Sequence, residues 1–497
     1  MNRVPPNRGN MRKGPPGKPP TGSKPFGRVP SDKKPFGKPP FVKPAPPKPN
    51  ARAVALNALR DVTQSAAYAS LALDKRLEGS ALAPEDRALV TRLVYGVLEE
   101  RALLDFRVDK YLAEPRRVVS IARDLLRLGA YQILFLDRVP DSAAVNETVS
   151  LAKQFPTALP FAGMINHALR RLSEGKDDPV DWPDDPMDAL ALKTGWPRWI
   201  LQKLSDAYGG DEAERVARLR AAETGVTIRV NPLKTDADTF SKRMDLRGWK
   251  WRGGLIPGSF YVTDGADGIG SDPDFNAGRF SVEGAASMLT AEAVGAKRGM
   301  RVLDACAAPG GKAAFMAERM DQSGRVFALD IHPHRVELVR AQAARLGLEN
   351  IRPIERDASV PNPDWVDWFD AVLIDAPCSG LGAAIDKPDI RDRVTSEGVA
   401  ELTAIQRGIL DTCASYVRPG GALVYATCSI LPEENARQVE AFLKRHVDFT
   451  VDRSSIHGFT PDEFGLQLLP RFIGEDNPIW IEGFFVARMV RSPKDGQ

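Results

Sequence analysis

Two cysteines stand directly after apolar runs that read as strands in the last third of the chain. Cys378 follows residues 371–375 in the segment Asp-Ala-Pro-Cys-Ser-Gly, and Cys428 follows residues 422–426 in Thr-Cys-Ser. If these strands are neighbours in a parallel sheet, both thiols and the Asp375 carboxylate meet at the carboxyl edge, where such sheets place their sites. A lone free cysteine is most often a small buried hydrophobe. Two at neighbouring strand ends favour nucleophilic and acid–base chemistry.

The remaining thiols and the imidazoles indicate less chemistry. Cys413 lies in an apolar helical run and is expected in the core, whereas Cys306 lies in a turn where its backbone is expected to matter. There is no CxxC pair, and the five histidines form no cluster with the cysteines. This pattern disfavours disulfides, structural zinc and a Cys–His dyad. We expect free thiols in a reducing cytoplasm and no metal.

A turn of small residues precedes the two cysteines. The strand at 301–304 leads into Cys-Ala-Ala-Pro-Gly-Gly-Lys at 306–312, where the backbone can approach a ligand closely. The next strand ends at Asp330, whose carboxylate can accept hydrogen bonds from two ribose hydroxyls. Asp357 follows the third strand, where it could face a base or cap a helix. The turn matches neither GxGxxG nor GxxxxGK[ST], so it indicates a nucleoside-containing cofactor other than NAD, with a plain tight turn as the alternative.

The net charge of +3 hides an uneven distribution. Residues 1–50 hold 12 of the 68 basic residues and one of the 65 acidic ones, a net of +11, so the other 447 residues carry −8. Fifteen prolines and a Lys-Pro-Phe-Gly repeat at 24–27 and 34–37 are typical of a disordered segment. It is either an electrostatic arm that tracks phosphates, with Phe26, Phe36 and Phe41 available for stacking, or a solvated, dispensable extension. No apolar run approaches the roughly 20 residues that cross a membrane.

Apolar periodicity divides the rest of the chain. Residues 51–175 show helical spacing throughout, and 176–220 combine an acidic, proline-containing linker with helices. Residues 221–290 form a small α+β segment. From 291 to 497 strands alternate with helices, which predicts a mostly parallel, Rossmann-like α/β sheet covered on both faces. The expected strands are 301–304, 325–330, 351–354, 371–375, 422–426 and 484–489, and the expected helices are 312–320, 333–347, 397–417 and 433–446.

Taken together, these motifs resemble the Nop/Sun family of RNA cytosine-5 methyltransferases. The likeness rests on the 304–312 turn, on Asp375-Ala-Pro-Cys378, on residues 425–429 with Pro-Glu-Glu-Asn at 432–435, and on Gly-Phe-Phe-Val-Ala-Arg at 483–488. Residues 123–134, 139–149 and 163–172 resemble the NusB-type RNA-binding fold. That domain ahead of this catalytic unit is the arrangement of the bacterial Sun/Fmu-type enzyme of 16S ribosomal RNA.

The resemblance implies methyl transfer from S-adenosylmethionine to carbon 5 of a cytidine in RNA, in 16S rRNA or an assembling small subunit. Cys428 would be the nucleophile that attacks carbon 6, Cys378 would assist resolution and product release, and Asp375 would contact the base. The residue roles are carried over position by position. The residues implied to bind the cofactor are Cys306, Ala307, Ala308, Pro309, Gly310, Gly311, Lys312, Asp330, Asp357 and Asp375.

Two departures from the family pattern accompany this likeness. Glu283-Gly284-Ala285 stands where the family usually carries Gln-Asp-Glu, so two carboxylates are missing near the mouth of the site. Glu482 replaces the more usual Asp before Gly483, a mild change.

Two other functions compete with methylation of 16S rRNA. One is the same reaction on tRNA or on another rRNA position. The other is a non-catalytic RNA-binding assembly factor, which predicts the loss of a thiol or of Asp375, and all three are present. The arginine pairs at 123 and 127 and at 170–171 are expected either to contact RNA or to form a solvated face.

Overall fold

A computed structural model describes residues 50–65, 67–221, 224–266 and 268–493. The basic segment at 1–49, with its Lys-Pro-Phe-Gly repeat, lies outside the described residues. The described residues from 50 to 493 belong to one compact unit. Within the described ranges, no helix combines the length and the apolar character needed to span a membrane.

The first part of the described chain is helical, as predicted. Helix α5 lies at its centre, buried along residues 121–133 and packed against α1, α3, α4, α6 and α7. Gly96 allows α3 to approach α5 closely, because a Cβ there would lie 2.0 Å from the Tyr131 ring. The helices are α1 (Ala51–Ser65), α2 (Ala69–Glu78), α3 (Pro84–Glu99), α4 (Arg101–Asp109), α5 (Ser120–Phe135), α6 (Asp141–Ala152) and α7 (Ala162–Glu174).

The arginines of α5 do not have the role that their sequence suggested. Arg127 is buried, donates two hydrogen bonds to Asp105 at 2.7 and 2.8 Å, and lies 3.2 Å from Asp124. Arg123 pairs with Asp109 and with the carbonyl of Pro115. Neither RNA contact nor a solvated face describes Arg127, because a buried guanidinium must be paired within the protein, whereas Arg123 is partly buried and is also paired within the protein. On α7, Arg171 is exposed and pairs with Glu174.

Three short helices connect this region to the catalytic part. Asp185 caps the first one, accepting hydrogen bonds from the amides of Met187 and Asp188, and Gly195 ends it in the left-handed conformation at φ 71°. Their apolar faces pack on the loops that follow the two cysteines, and Tyr208 donates a hydrogen bond to the Ile430 carbonyl at 3.0 Å. These helices, which therefore support the cysteine loops, are α8 (Pro186–Thr194), α9 (Arg198–Tyr208) and α10 (Gly210–Arg218).

A four-stranded antiparallel sheet follows, in the order β2-β3-β1-β4. Its core is aromatic, with Phe240, Phe260 and Phe280 in contact. Helix α13 crosses the boundary expected at residue 290 and packs in the core of the next sheet. The elements are β1 (Val226–Val230), α11 (Ala237–Leu246), β2 (Lys250–Gly253), β3 (Ser259–Asp264), α12 (Pro273–Asn276), β4 (Phe280–Val282) and α13 (Ala285–Ala293).

The catalytic region is built on a large mixed sheet. Its elements are β5 (Arg301–Asp304), α14 (Gly311–Arg319), β6 (Arg325–Asp330), α15 (Pro333–Leu346), β7 (Ile351–Glu355), β8 (Phe369–Asp375), α16 (Asp389–Arg393), α17 (Ser396–Ala414), β9 (Val417–Thr427), α18 (Ala436–Arg445), β10 (Phe449–Val451), β11 (Leu466–Leu468), β12 (Arg471–Ile473), β13 (Ile479–Ile481) and β14 (Phe484–Arg491).

The order of this sheet is β10-β14-β9-β8-β5-β6-β7, with β11 also paired to β14. Strands β5 to β9 are parallel, and β14 runs antiparallel between β9 and β10. Successive residues of β5 point to opposite faces of the sheet, and each face has its own hydrophobic core. Val302 packs on the face that carries α13, and Leu303 packs on the face that carries α17. Both faces are thus covered, which is the Rossmann-like arrangement predicted from the sequence.

The first residues of β9 and α18 differ from the predicted ones. Strand β9 begins at Val417 rather than 422, and α18 begins at Ala436 rather than 433. Residues 432–435 instead form a turn held by buried side chains. The short strands β10 to β13 were not predicted, because runs of three residues carry too little alternation to be recognised.

Candidate active site

The two thiols predicted from the strand ends lie together. Strands β8 and β9 are parallel neighbours, with Asp375 opposite Ala426, and the Ala376 amide donates to the Ala426 carbonyl at 2.8 Å. This register brings the Sγ atoms of Cys378 and Cys428 to 3.4 Å. Both cysteines are partly buried, and both are free. One thiol can therefore donate a hydrogen bond to the other.

One buried carboxylate holds both cysteine loops. Glu434 accepts hydrogen bonds from the Ser379 amide at 2.8 Å, from the Ser379 hydroxyl at 2.5 Å and from the Ser429 hydroxyl. Gln406 of α17 donates to the same carboxylate at 3.1 Å and to the Pro377 carbonyl at 3.0 Å. The Glu434 side chain is fully buried, so its charge is stabilised by these donors rather than by water.

A second set of hydrogen bonds fixes the turn that follows β9. The Thr427 hydroxyl donates to the Asn435 side-chain oxygen at 2.5 Å, and the Asn435 amide donates to the Ser429 carbonyl at 2.9 Å and to Gln467 at 2.7 Å. Thr427, Ser429 and Asn435 are fully buried. The residue between Thr427 and Ser429 is Cys428, whose backbone is therefore held at both sides.

A close glycine contact supports Cys428 from behind. The Gly382 amide donates to the Cys428 carbonyl at 2.9 Å, and the Gly483 amide donates to the Gly382 carbonyl at 3.0 Å. A Cβ on Gly382 would lie 1.9 Å from the Gly483 oxygen, and one on Gly483 would lie 2.6 Å from Ile430. Only glycines allow the three backbones to approach this closely.

An ion pair lies beside the thiols. The Lys312 ammonium at the start of α14 is 2.8 Å from the Asp375 carboxylate at the end of β8, and it lies 5.2 Å from the centre of the Phe484 ring. Burial acts to lower the pKa of Lys312, but the Asp375 charge outweighs burial and raises it. Lys312 is thus a cation at neutral pH.

The two thiols have different proton affinities. The hydrogen bond from Cys378 lowers the pKa of Cys428, against the opposing effect of burial, and Lys312 lowers it further. The same hydrogen bond and burial raise the pKa of Cys378 well above its ordinary value. When the pair loses its first proton, that proton leaves Cys428. The remaining proton stays on Cys378, which donates it to the Cys428 thiolate.

The residues predicted to bind a cofactor line the carboxyl ends of β5, β6 and β7. Gly310 adopts φ 110°, and a Cβ there would lie 3.3 Å from the Val339 backbone. The buried Asp330 accepts a hydrogen bond from the His332 amide and lies 3.2 Å from the Arg335 guanidinium. Asp357 does not cap a helix: its Oδ1 binds the amide and hydroxyl of Ser359 in a turn.

Asp304 shows that this edge suits a charged ligand. Its side chain is buried, and neither carboxylate oxygen has a hydrogen-bond partner among the described residues. Burial and the nearby Asp375 charge raise the pKa of Asp304 to about 7. An unpartnered buried carboxyl beside a glycine turn fits a nucleoside cofactor with a cationic group. Asp330 would hold its ribose, and residues 306–312 would surround its remaining part.

The carboxylate of Glu482 lies where a side chain at position 284 would be. A Cβ added to Gly284 would lie 1.6 Å from the Glu482 carboxylate oxygen, so Glu482 occupies the space of a residue-284 side chain. Glu283 is buried and accepts hydrogen bonds from Arg229 at 3.2 Å and from Ser287 at 3.2 Å. The two departures noted in the sequence are therefore in direct contact.

A cleft of about 190 Å³ opens beside Cys378. Tyr68 from the helical region forms one wall and is 58% exposed, and Arg393 lies 4.4 Å over its ring. Ile390 and Leu402 form an apolar side. An aromatic ring, a guanidinium and apolar walls together offer a surface on which a nucleobase could stack.

The thiols of Cys413 and Cys306 do not join the pair formed by Cys378 and Cys428. Cys413 is fully buried in the core, and burial raises its pKa to about 12. Burial also raises the pKa of Cys306 well above its ordinary value. Across the part of the chain that the structure describes, no group of three or more His, Cys, Asp or Glu side chains is arranged to hold a metal ion.

Sequence reasoning missed the residues that hold the cysteine loops. Glu434 and Asn435 were noted as part of a motif, but no role was assigned to them, and Gln406 was not considered. One signal was available: each cysteine is followed by a serine. Two Cys-Ser pairs at neighbouring strand ends require a common partner for their hydroxyls.

A parallel sheet closed by an antiparallel last strand, with acidic groups at consecutive strand ends, defines the class of S-adenosylmethionine-dependent methyltransferases. The 16S rRNA methyltransferase RsmB/F family model matches residues 292–490, and the NusB family model matches residues 49–174. The crystal structure of PH0851 shares the fold, with a TM-score of 0.73 at 23% identity, covering 90% of this chain and 100% of that one.

Curated relatives match along nearly their whole length. The probable ribosomal RNA small subunit methyltransferase B of Bacillus subtilis (strain 168) is 35% identical over 451 residues, covering 89% of this chain and 99% of that protein. Ribosomal RNA small subunit methyltransferase B of Shewanella oneidensis is 32% identical over 448 residues, with the same coverage. The chain belongs to the ribosomal RNA small subunit methyltransferase B family. It is thus an RNA methyltransferase that uses S-adenosylmethionine.

Proposed function

We propose that this enzyme methylates carbon 5 of a cytidine in 16S ribosomal RNA through a covalent adduct with Cys428. The observation that supports this most is the pair of thiols 3.4 Å apart beside the Lys312–Asp375 ion pair. Carbon 5 of cytosine is a weak nucleophile, and a thiolate added to carbon 6 activates it. Methylation of an oxygen or of an amino group requires no such thiol.

The reaction assigns one task to each group. The Cys428 thiolate forms a bond to carbon 6 as the π bond between carbons 5 and 6 breaks, and ring nitrogen 3 takes up a proton from the Lys312–Asp375 pair, which contacts the base and takes that proton back when the ring is re-formed. The cofactor supplies an electrophilic methyl group. After carbon 5 has taken that methyl, a base removes the carbon-5 proton, the bond between sulfur and carbon 6 breaks, and Cys428 leaves as a thiolate. Cys378 is the neighbouring group that can accept or donate the proton during this release.

The assignment of the nucleophile follows from the shared proton. Cys428 has the lowered pKa, and its backbone is held by Gly382 and by the turn after β9. A thiolate at a fixed position is what addition to carbon 6 requires. Cys378 keeps its proton longer, which suits a group that acts in the second half of the reaction.

The description of the matching family model and the names of the relatives support 16S rRNA, free or in an assembling small subunit, as the substrate, and a cytoplasmic location is consistent with such a substrate. Nucleotides next to the target cytidine would lie in the cleft between Tyr68 and Arg393. The NusB-like helical region would bind RNA on the same side. Membership in an enzyme family argues against the alternative of a non-catalytic assembly factor. Methylation of tRNA or of another rRNA position is the alternative that the experiment must distinguish.

Trapping on RNA that contains 5-fluorocytidine tests the mechanism, because fluorine at carbon 5 prevents release of the thiol. Wild-type protein and Cys378→Ser should form a covalent RNA adduct, and Cys428→Ser should form none. An adduct with Cys428→Ser but not with Cys378→Ser would reverse the two roles. Bisulfite mapping of rRNA and tRNA from cells that lack the gene should show one unmethylated cytidine in 16S rRNA. A loss confined to tRNA would reject the proposed substrate.

A further inference from the structure

Helix α13 begins beside the active site with a glycine that the backbone does not require. Gly284 is its N-cap residue, with φ −63° and ψ 151°, a conformation open to every amino acid. No side chain of this residue caps the helix, although Asp, Asn, Ser or Thr commonly does so at this position. Space explains the glycine, since a Cβ would lie 1.6 Å from Glu482 Oε1 and 2.6 Å from its Cδ.

Glu482 reaches this position from the turn between β13 and β14. Burial raises the pKa of its carboxyl group, whereas hydrogen bonds from its own amide and from the Ala286 amide act in the opposite direction. Ala286 is the second residue of α13, and its amide is one that an N-cap side chain normally binds. A carboxylate at this end also interacts favourably with the helix dipole.

We propose that Glu482 caps α13 in place of a side chain at position 284, and that this contact is a positioning element of the active site. The residues on either side of the contact connect it to the chemistry. Gly483 binds Gly382, which holds the Cys428 carbonyl, and the Phe484 ring lies below Lys312. Helix α13 packs in turn against α14, which begins at Lys312. Glu482 acts through these neighbours and is not itself a catalytic residue.

The contact also explains why the two departures from the family pattern occur together. A side chain at 284 and the longer Glu at 482 would overlap, because the Cβ at 284 would lie 1.6 Å from the Glu482 carboxylate oxygen. Glycine at 284 leaves this space to the Glu482 carboxylate, which lies at the start of the helix.

Single substitutions give the first test. Glu482→Ala should lower kcat for RNA methylation by about tenfold to a hundredfold, because a displaced active-site segment can cost this much. Glu482→Gln keeps an oxygen that accepts from the Ala286 amide and should retain most of the activity. Wild-type turnover in Glu482→Ala would overturn the proposal.

A double substitution gives the sharper test. Gly284→Asp alone should be strongly impaired, since the new side chain meets Glu482. Gly284→Asp combined with Glu482→Ala returns a carboxylate to the helix end and should recover activity by at least fivefold over Glu482→Ala. The control, Gly284→Ala combined with Glu482→Ala, adds a Cβ at the same position without a carboxylate and should show no recovery. Equal activity of the two double variants would overturn the proposal.

The activity readout rests on the proposed function, so a second readout is independent of it. The thermal unfolding midpoint should fall in Glu482→Ala and rise again in the double variant with Asp at 284. Absence of 5-methylcytidine in the wild-type product would reject the proposed function. It would not affect the comparison of unfolding midpoints among the variants at positions 284 and 482. Equal thermal unfolding midpoints in the wild type and all variants, together with unchanged kcat values, would reject the role of Glu482.

Discussion

The hydroxyl oxygens of Ser379 and Ser429 lie 3.1 Å apart, and each donates to the carboxylate of Glu434. Each serine directly follows one of the two thiols. The distance between the thiols is therefore set by one buried side chain that binds the residues after them. A carboxylate with several donors is rigid, because moving it would leave buried hydroxyls and an amide without partners.

The first prediction concerns this carboxylate. Glu434→Ala should lower the free energy of unfolding by about 3 kcal/mol, since hydrogen bonds to a charged group are lost in a buried place. It should also lower kcat more than tenfold, because the two thiols lose their fixed separation. Urea unfolding and a methylation assay measure the two effects. Glu433→Ala is the matched control: Glu433 pairs with Lys203 at a partly exposed position, and its loss should cost less than about 1 kcal/mol.

The second prediction concerns the shared proton of the thiols. Replacing Cys378 by Ala removes the donor that lowers the pKa of Cys428. The thiolate of Cys428 should then form only at higher pH, so its rate of alkylation by iodoacetamide should rise at higher pH than in the wild type. Cys378→Ser keeps a hydroxyl donor and should shift the profile less. Mass spectrometry of the peptide that contains Cys428 gives the rate, and an unchanged profile in Cys378→Ala would contradict the assignment.

The third prediction concerns Asp304. Its pKa in the folded protein is about 7, raised by burial, and lies near 4 in the unfolded chain. Between these values the folded state binds more protons, so this group lowers stability as the pH rises from about 4 to about 7. Asp304→Asn removes this loss of stability. The free energy of unfolding of the variant should equal that of the wild type near pH 4 and should be higher at pH 8 by at most about 4 kcal/mol. Urea unfolding of the cofactor-free proteins measures this, and identical pH dependences would contradict it.

The fourth prediction concerns the basic segment at 1–50, which carries a net charge of +11. Its deletion should weaken RNA binding at low salt and flatten the plot of log affinity against log salt, because fewer counterions are released. Turnover at saturating RNA should change little. Fluorescence anisotropy across a salt series measures the slope. An unchanged slope would mean that the segment is a dispensable extension.

The sheet and the position of the thiols could be predicted from local patterns. Apolar strands that alternate with amphipathic helices specify a parallel sheet, and strand ends in such a sheet meet at one edge. These patterns are enough to predict that Cys378, Cys428 and Asp375 lie at one edge of the sheet. The family resemblance added the cofactor and the reaction.

The supporting contacts could not be predicted, because each depends on a partner distant in sequence. Arg127 resembles a surface arginine until Asp105 is placed beside it. In the sequence, Gly284 indicates only that a carboxylate is missing. In the structure, the Glu482 carboxylate lies where a side chain at 284 would be. Periodicity reports which face of an element is buried, but it does not report which turn of another element closes on it.

The close contact between Gly382 and Gly483 has a consequence for synthesis of the protein. Gly483 immediately precedes β14, the last strand, which inserts between β9 and β10. During translation, β5 to β8 and their row of acidic strand ends can form while the C-terminal residues are still inside the ribosome. The contact of Gly483 with Gly382, behind Cys428, forms only when the last strand has emerged and paired. The carboxyl ends of β5 to β7 are therefore complete in the nascent chain before the last backbone contact behind the nucleophile can form.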